Sequence, residues 1–97
     1  MEENITSVLE LDDSFSQEKL LNIYPNPVSV NEDLFIVNDY PDTYQFSIVD
    51  RYGRTVTSSL ILPGINTISV NNLVAGVYFC ISEKGSYRET YKLVIQK

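Results

Sequence analysis

Apolar and polar residues alternate along most of the chain with the period of two that is typical of β-strands. The clearest case places Tyr44, Phe46 and Ile48 on one face and Gln45 and Ser47 on the other. Similar stretches recur roughly every ten residues with turn residues between them, and no stretch shows a sustained helical period. The pattern predicts seven strands, over residues 20–24, 33–38, 44–50, 54–61, 65–70, 77–82 and 89–95.

Seven short strands separated by turns predict an all-β fold, a seven-stranded immunoglobulin-like β-sandwich with an extended N-terminal leader. A closed β-barrel is the alternative. With one Cys and no Trp, the chain lacks the disulfide and the packed tryptophan of immunoglobulin domains, so aliphatic, Tyr and Phe side chains must form the core. Residues 77–82 are almost entirely apolar, which predicts a strand buried on both faces.

Residues 1–19 differ from the rest of the chain in charge. They carry a net charge of −5, while residues 20–97 carry −1. We therefore predict an acidic linker or leader over residues 1–19 and one folded domain over residues 20–97. A short added strand within the leader is the alternative. The start of the leader, Met1-Glu2-Glu3-Asn4, is acidic where a secretory signal peptide would be basic.

The composition also limits the chemistry that the chain can perform. It has no His, so the usual acid–base group and the commonest transition-metal ligand are missing. Its net charge of −6 does not fit a nucleic-acid-binding surface. Cys80 is expected to be a buried small hydrophobe, and the spacing of Asp39, Asp42 and Asp50 does not match a calcium loop. We predict no enzyme, no cofactor and no metal site.

Three turn motifs and the last strand stand out, and we call these four features the landmarks. Tyr24-Pro25-Asn26-Pro27 ends the first strand, because proline fixes φ and removes a backbone donor. In Asp50-Arg51-Tyr52-Gly53-Arg54, Gly53 is expected to supply a positive φ. Leu73-Val74-Ala75-Gly76-Val77-Tyr78 leads into the sixth strand, where Tyr78 either packs in the core or clamps a corner with its hydroxyl. Tyr91-Lys92-Leu93-Val94-Ile95 is the last strand.

In this order, the landmarks resemble the C-terminal sorting domain of the type IX secretion system of Bacteroidota, the Por secretion system C-terminal domain family, type A. That family combines a strand running into Pro-Asn-Pro, an Asp-x-x-Gly-Lys/Arg turn, a Leu-x-x-Gly-x-Tyr segment and a last strand with Lys before aliphatic residues. The resemblance covers residues 20–97. The residues that match its sorting-signal motif are Tyr24, Pro25, Asn26, Pro27, Asp50, Gly53, Arg54, Leu73, Gly76 and Tyr78.

The resemblance implies a signal domain at the end of a longer precursor, which directs a cargo protein across the outer membrane. Its implied partners are the outer-membrane translocon and a sortase-like peptidase that cuts near the N-terminal edge of the domain, in or before residues 1–19. The cargo would pass through the periplasm and reach the cell surface or the medium, either released or attached to lipopolysaccharide.

We expect the translocon to recognise the last strand. A strand at a sheet edge offers unpaired backbone groups to which a partner can add a strand. The predicted recognition residues are Lys92, Leu93, Val94, Ile95, Gln96 and Lys97. Lys92 has a second interpretation, protection of the edge against unwanted pairing. The same edge could join isolated domains into a homodimer.

Two other functions remain open. The first is an immunoglobulin-like carbohydrate-binding or adhesion module of a secreted multidomain protein, with Tyr40, Tyr52 and Tyr87 as surface aromatics. The absence of Trp weakens this interpretation, because sugar-binding sites favour flat aromatic platforms. The second is a structural cap that stabilises a neighbouring domain.

Overall fold

The computed structural model describes residues 20–97, which form eight strands. None of these residues belongs to a helix that could cross a membrane. The predictions for residues 1–19, an acidic leader or an added strand, lie outside the described residues. The strands are β1 (Leu21–Tyr24), β2 (Val28–Ser29), β3 (Asp33–Asn38), β4 (Tyr44–Val49), β5 (Thr55–Ile61), β6 (Gly64–Ser69), β7 (Gly76–Lys84) and β8 (Tyr87–Gln96).

The strands form two sheets that pack as a sandwich. The smaller sheet has the order β1-β3-β6, and the larger has the order β2-β8-β7-β4-β5. All neighbours are antiparallel except β2, which runs parallel to β8. The predicted all-β sandwich is confirmed, but with eight strands rather than seven. The additional strand, β2, is two residues long, too short to produce an alternating pattern. The immunoglobulin-like strand arrangement stays a prediction.

The core consists of the inward-facing residues of both sheets. Tyr44, Phe46 and Ile48 of β4 are buried, as their alternation predicts. They belong to one cluster with Leu34 and other aliphatic side chains of the smaller sheet. Phe46 and Leu34 are among the largest fully buried side chains, so aliphatic and aromatic packing replaces the missing disulfide.

Strand β7 departs from the prediction that both of its faces are buried. Tyr78 and Cys80 face the core, but Val77 is 40% exposed and Phe79 and Ile81 are only partly buried. These three apolar residues occupy the outer face of the larger sheet. There Phe79 lies between Val49 of β4 and Lys92 of β8 in the strand register. The apolar run in β7 therefore does not require a second layer of structure over the outer face of the larger sheet. Cys80 is fully buried as predicted, and burial raises the pKa of its thiol to about 12.

Candidate functional site

The turn between β4 and β5 is held together by the side chain of Asp50. One carboxylate oxygen accepts hydrogen bonds from the backbone N–H groups of Tyr52 and Arg54, both at 2.9 Å. The other accepts one from the Arg54 guanidinium, with Nε and Oδ2 2.8 Å apart. The pKa of Asp50 is lowered, mainly by the hydrogen bond from the backbone N–H of Arg54. The hydrogen bonds from the Arg54 guanidinium and from the Tyr52 N–H lower it further. Gly53 has a φ of +83°, so its predicted positive φ is confirmed.

Tyr52 lies at the tip of this turn with two guanidinium groups against its ring. The Cζ atoms of Arg51 and Arg54 are 5.2 and 5.4 Å from the ring centroid, within the range of cation–π interactions. Because Asp50 neutralises Arg54, Arg51 leaves a net positive charge beside a ring that is 70% exposed. Neither Arg51 nor Tyr52 is among the predicted sorting-signal residues, although Tyr52 is predicted as a surface aromatic of the carbohydrate-binding alternative. Arginines on both sides of this tyrosine are the signal that could have identified the arrangement.

The segment that leads into β7 folds back under the hydroxyl of Tyr78. The ring of Tyr78 is buried, and its hydroxyl donates a hydrogen bond to the Val74 carbonyl at 2.6 Å. Both interpretations of Tyr78 therefore hold, since one side chain packs in the core and clamps the corner. The N–H of Leu73 donates to the Val70 carbonyl at 3.1 Å and closes the start of the segment. This leaves the Val74 side chain 78% exposed.

The Asp50 turn and the Leu73–Tyr78 segment face each other across an open groove of about 400 Å³, which we call the landmark groove. The turn contributes residues 50–52 and 54, and the opposite wall consists of residues 72–78. Val56, at the start of β5, completes the lining. Apolar side chains and guanidinium groups therefore line one depression. Two landmarks that are distant in sequence meet there.

Asn26, between the two prolines, binds strand β8 through both atoms of its side-chain amide. Its Nδ2 donates to the Lys92 carbonyl at 2.8 Å, and its Oδ1 accepts from the Val94 N–H at 3.0 Å. We call this pair of bonds the Asn26 clamp. The amide takes the place of a peptide group in a neighbouring strand. The peptide bonds before Pro25 and Pro27 are both cis.

Strand β2 continues this cover over the end of β8. It pairs with Ile95 and Gln96, and the Val30 N–H donates to the Gln96 carbonyl at 2.8 Å. The prediction that the last strand offers an open edge is therefore wrong over residues 92–96. The segment after the first strand returns to β8 and occupies the backbone groups that a partner strand would need.

The predicted recognition residues divide between the core and the surface. Leu93 and Ile95 are buried, and Val94 is partly buried. Lys92, Gln96 and Lys97 are exposed. The exposed side chains are the ones that a partner could contact while the sandwich stays folded.

The Asn26 clamp lies beside the landmark groove. In the register of β7 and β8, Gly76 is opposite Ile95 and Val77 is opposite Val94. Val77 lines the groove, and Val94 is held by Asn26. Parts of all four landmarks thus meet at one end of the sandwich. Tyr24, just before the first proline, stacks on Phe35 with the ring centroids 5.5 Å apart.

Leu20, the first described residue, is fixed at the end of the sandwich opposite the landmarks. The Leu20 N–H donates to Glu89 Oε1 at 3.0 Å, and the Leu21 N–H donates to the Tyr91 hydroxyl at 3.2 Å. The Tyr91 hydroxyl in turn donates to the Glu89 carboxylate. The chain is therefore anchored to β8 from Leu20 onward.

The tyrosines of the carbohydrate-binding alternative do not form a common platform. Tyr40 precedes β4 and Tyr52 follows it, so they lie at opposite ends of that strand. Tyr87 is partly buried and packs edge to face against Tyr44, with the centroids 5.8 Å apart.

The acidic residues considered for calcium are separated. Asp42 lies 3.7 Å from the Lys84 ammonium, and Asp50 is bound to Arg54. Within residues 20–97, no group of three or more His, Cys, Asp or Glu side chains could hold a metal ion.

Comparison with known families gives one match. A family model described as "Secretion system C-terminal sorting domain" matches residues 22–96, a range that contains all four landmarks. A search of curated proteins found no match to the chain.

Proposed function

Because the chain belongs to the family of secretion system C-terminal sorting domains, we propose that it directs an attached cargo protein across the outer membrane through the type IX secretion system. The observation that carries the proposal is the family match, which spans nearly the whole described sandwich. Such domains belong to secreted or cell-surface proteins and form a family of sorting signals rather than of enzymes. The domain itself, in this proposal, catalyses nothing.

The translocon, in this proposal, reads the end of the sandwich where the landmarks meet. The open edge of β8 is a weaker candidate, because the Asn26 clamp and β2 occupy it. The landmark groove offers exposed Val74, the Tyr52 ring and the charge of Arg51. Tyrosine and arginine are among the residues that contribute most in protein interfaces, and an exposed apolar side chain beside them adds surface that a partner can bury. Lys92 on β8 and Lys97 directly after it extend this surface.

The peptidase, in this proposal, cuts within residues 1–19 once the cargo reaches the cell surface. Leu20 and Leu21 are hydrogen-bonded to β8, so the peptide bonds that follow them are held within the sandwich. A protease needs an accessible, extended substrate segment. The cargo would pass through the periplasm first, and afterwards be released or attached to lipopolysaccharide.

The test joins the full chain to a fluorescent cargo with a signal peptide, in a bacterium that has the type IX machinery. We expect fluorescence at the cell surface or in the medium. Fluorescence that stays in the periplasm with the intact domain would contradict the sorting function. Deleting residues 93–97 is a poor test, because it removes Leu93 and Ile95 from the core.

The recognition surface is tested separately with Val74→Asp. Val74 is 78% exposed on the groove, so the variant should fold but lose most of the export signal. The matched control is Ile65→Asp, which places the same charge on a residue that is 71% exposed at the other end of the sandwich. Circular dichroism checks that both variants fold. Equal export of the two variants would exclude the landmark groove and leave the sorting function intact.

A further inference from the structure

The longest uncharged part of the chain contains one edge strand of each sheet. Residues 55–82 are 28 consecutive residues without a charged side chain, in a chain with 21% charged residues. They include β5, β6 and most of β7. Strand β5 is the outermost strand of the larger sheet and pairs only with β4. Within residues 20–97, no strand pairs with its other side.

The strands at the other margins of the two sheets are shorter than β5. β2 is two residues long, and β1 has four residues and is followed by Pro25. β6 has six residues and begins with Gly64, directly after Pro63. Edge strands are normally protected by shortness, proline or charge. β5 has seven residues with no Gly, Pro or charge, so it lacks these protections. Its pairing with β4 shifts register at Val56, near the start of the strand, and is regular from Thr57 to Ile61.

The sequence of β5 is complementary to itself. In an antiparallel pair centred on Ser58, Val56 lies opposite Leu60 of the second copy, and Thr57 lies opposite Ser59. Val56 and Leu60 are 36% and 56% exposed in one copy, and each would cover the other. Cross-strand pairs of this kind stabilise antiparallel sheets. A shared two-fold axis makes both copies use the same surface.

We propose that β5 is a self-association surface, on which β5 of a second copy of this chain pairs antiparallel about Ser58. The two larger sheets then form one continuous ten-stranded sheet. This goes beyond sorting and would leave that proposal unaffected if it failed. Seven residues from each copy bury less than the roughly 1,200 Å² of a standard interface. We therefore expect a weak dimer, with a dissociation constant on the order of 100 µM.

The first experiment is sedimentation equilibrium of the full 97-residue chain over a range of concentrations. Ser58→Lys places two ammonium groups opposite each other across the axis, so it should weaken the dimer at least tenfold. The control, Ser69→Lys, adds the same charge at an exposed serine of β6 and should leave the dimer unchanged. Thermal unfolding confirms that both variants are folded.

The second experiment maps the interface by amide NMR shifts as the concentration rises. We expect the shifts to concentrate in residues 55–61. A dimer that survives Ser58→Lys, or shifts confined to residues 87–96, would overturn the proposal. A chain that stays monomeric at every concentration would also overturn the proposal. In a monomer, exchange protection of the β5 amides that do not bond to β4, lost when residues 1–19 are removed, would show instead that residues 1–19 of the same chain cover this edge.

Discussion

The two margins of the larger sheet are built in opposite ways. At one margin, the Asn26 clamp and β2 occupy the backbone groups of β8 over residues 92–96. At the other, β5 presents seven uncharged residues that no strand within residues 20–97 covers. The covered margin also carries the exposed charge of Lys92, while the bare margin carries none.

The comparison shows that the edge strand with covered backbone groups is the one whose side chains the core needs. β8 contributes the buried side chains of Leu93 and Ile95, so its separation from the sheet would open the core. In β5, Ile61 is the single buried residue. Fraying of β5 therefore exposes little apolar surface, and this margin can stay open to a partner.

The largest expected effect comes from one substitution made at both margins. Val28→Ala in β2 removes two buried methyl groups at the covered margin and should cost about 2 kcal/mol of unfolding free energy, because it leaves a cavity. Val56→Ala at the bare margin should cost about 0.5 kcal/mol or less, since this side chain is already partly solvated. Urea unfolding measures both, at a concentration where the chain is monomeric. Equal losses would show that the two margins do not differ as described.

The next effect isolates the Asn26 clamp. Asn26→Ala removes both hydrogen bonds to β8, and should cost about 1 kcal/mol of unfolding free energy, because water replaces part of what is lost at this exposed site. Hydrogen exchange at the Val94 amide should quicken more than exchange in β4. Asn72→Ala is the control, an exposed asparagine without a side-chain hydrogen bond to β8. An unchanged Val94 exchange rate would contradict the clamp.

The smallest effect concerns pH. The turn that leads into the bare margin is held by a carboxylate, whereas the covered margin is held by neutral amides. Asp50 has a lowered pKa when folded, so its contribution to stability is fully present above its unfolded pKa of about 3.9. That contribution disappears as the pH falls through the lower, folded pKa.

The measurement is the stability difference between the wild type and Asp50→Asn as a function of pH. The variant should be less stable at neutral pH, and the difference should shrink toward zero in acid. The difference between the wild type and Asn26→Ala should stay constant, because neither amide nor methyl titrates in this range. A constant difference for Asp50→Asn would exclude its carboxylate as the group that holds the turn.

The strands with strong alternation could be predicted from the sequence. β3 has the predicted limits, and β4 ends one residue early. β7 and β8 are longer than predicted, because polar residues of their hairpin also pair. Glu83 and Arg88 are opposite each other in the register and lie 3.7 Å apart as an ion pair. In the sequence, charged residues at these positions suggest a loop. In the structure, they pair across the hairpin and stabilise it.

The covered margin could not be predicted in the same way. β2 is too short for a pattern, and an asparagine between prolines gives no local sign of a contact with β8. The Asp50 turn was accessible to sequence reasoning because all of its bonds lie within five residues. Its meeting with the Leu73–Tyr78 segment required the pairing of distant strands.

The Asn26 clamp has a consequence for protein synthesis. Its two hydrogen bonds join residues that are 66 and 68 positions apart, so the ribosome delivers Asn26 long before its partners. A chain that is broken off before Leu93 can neither complete the clamp nor supply Leu93 and Ile95 to the core. The landmark end of the sandwich is therefore complete only on molecules translated through β8. An export signal built on this end of the sandwich would therefore exclude chains that terminate before β8 is complete.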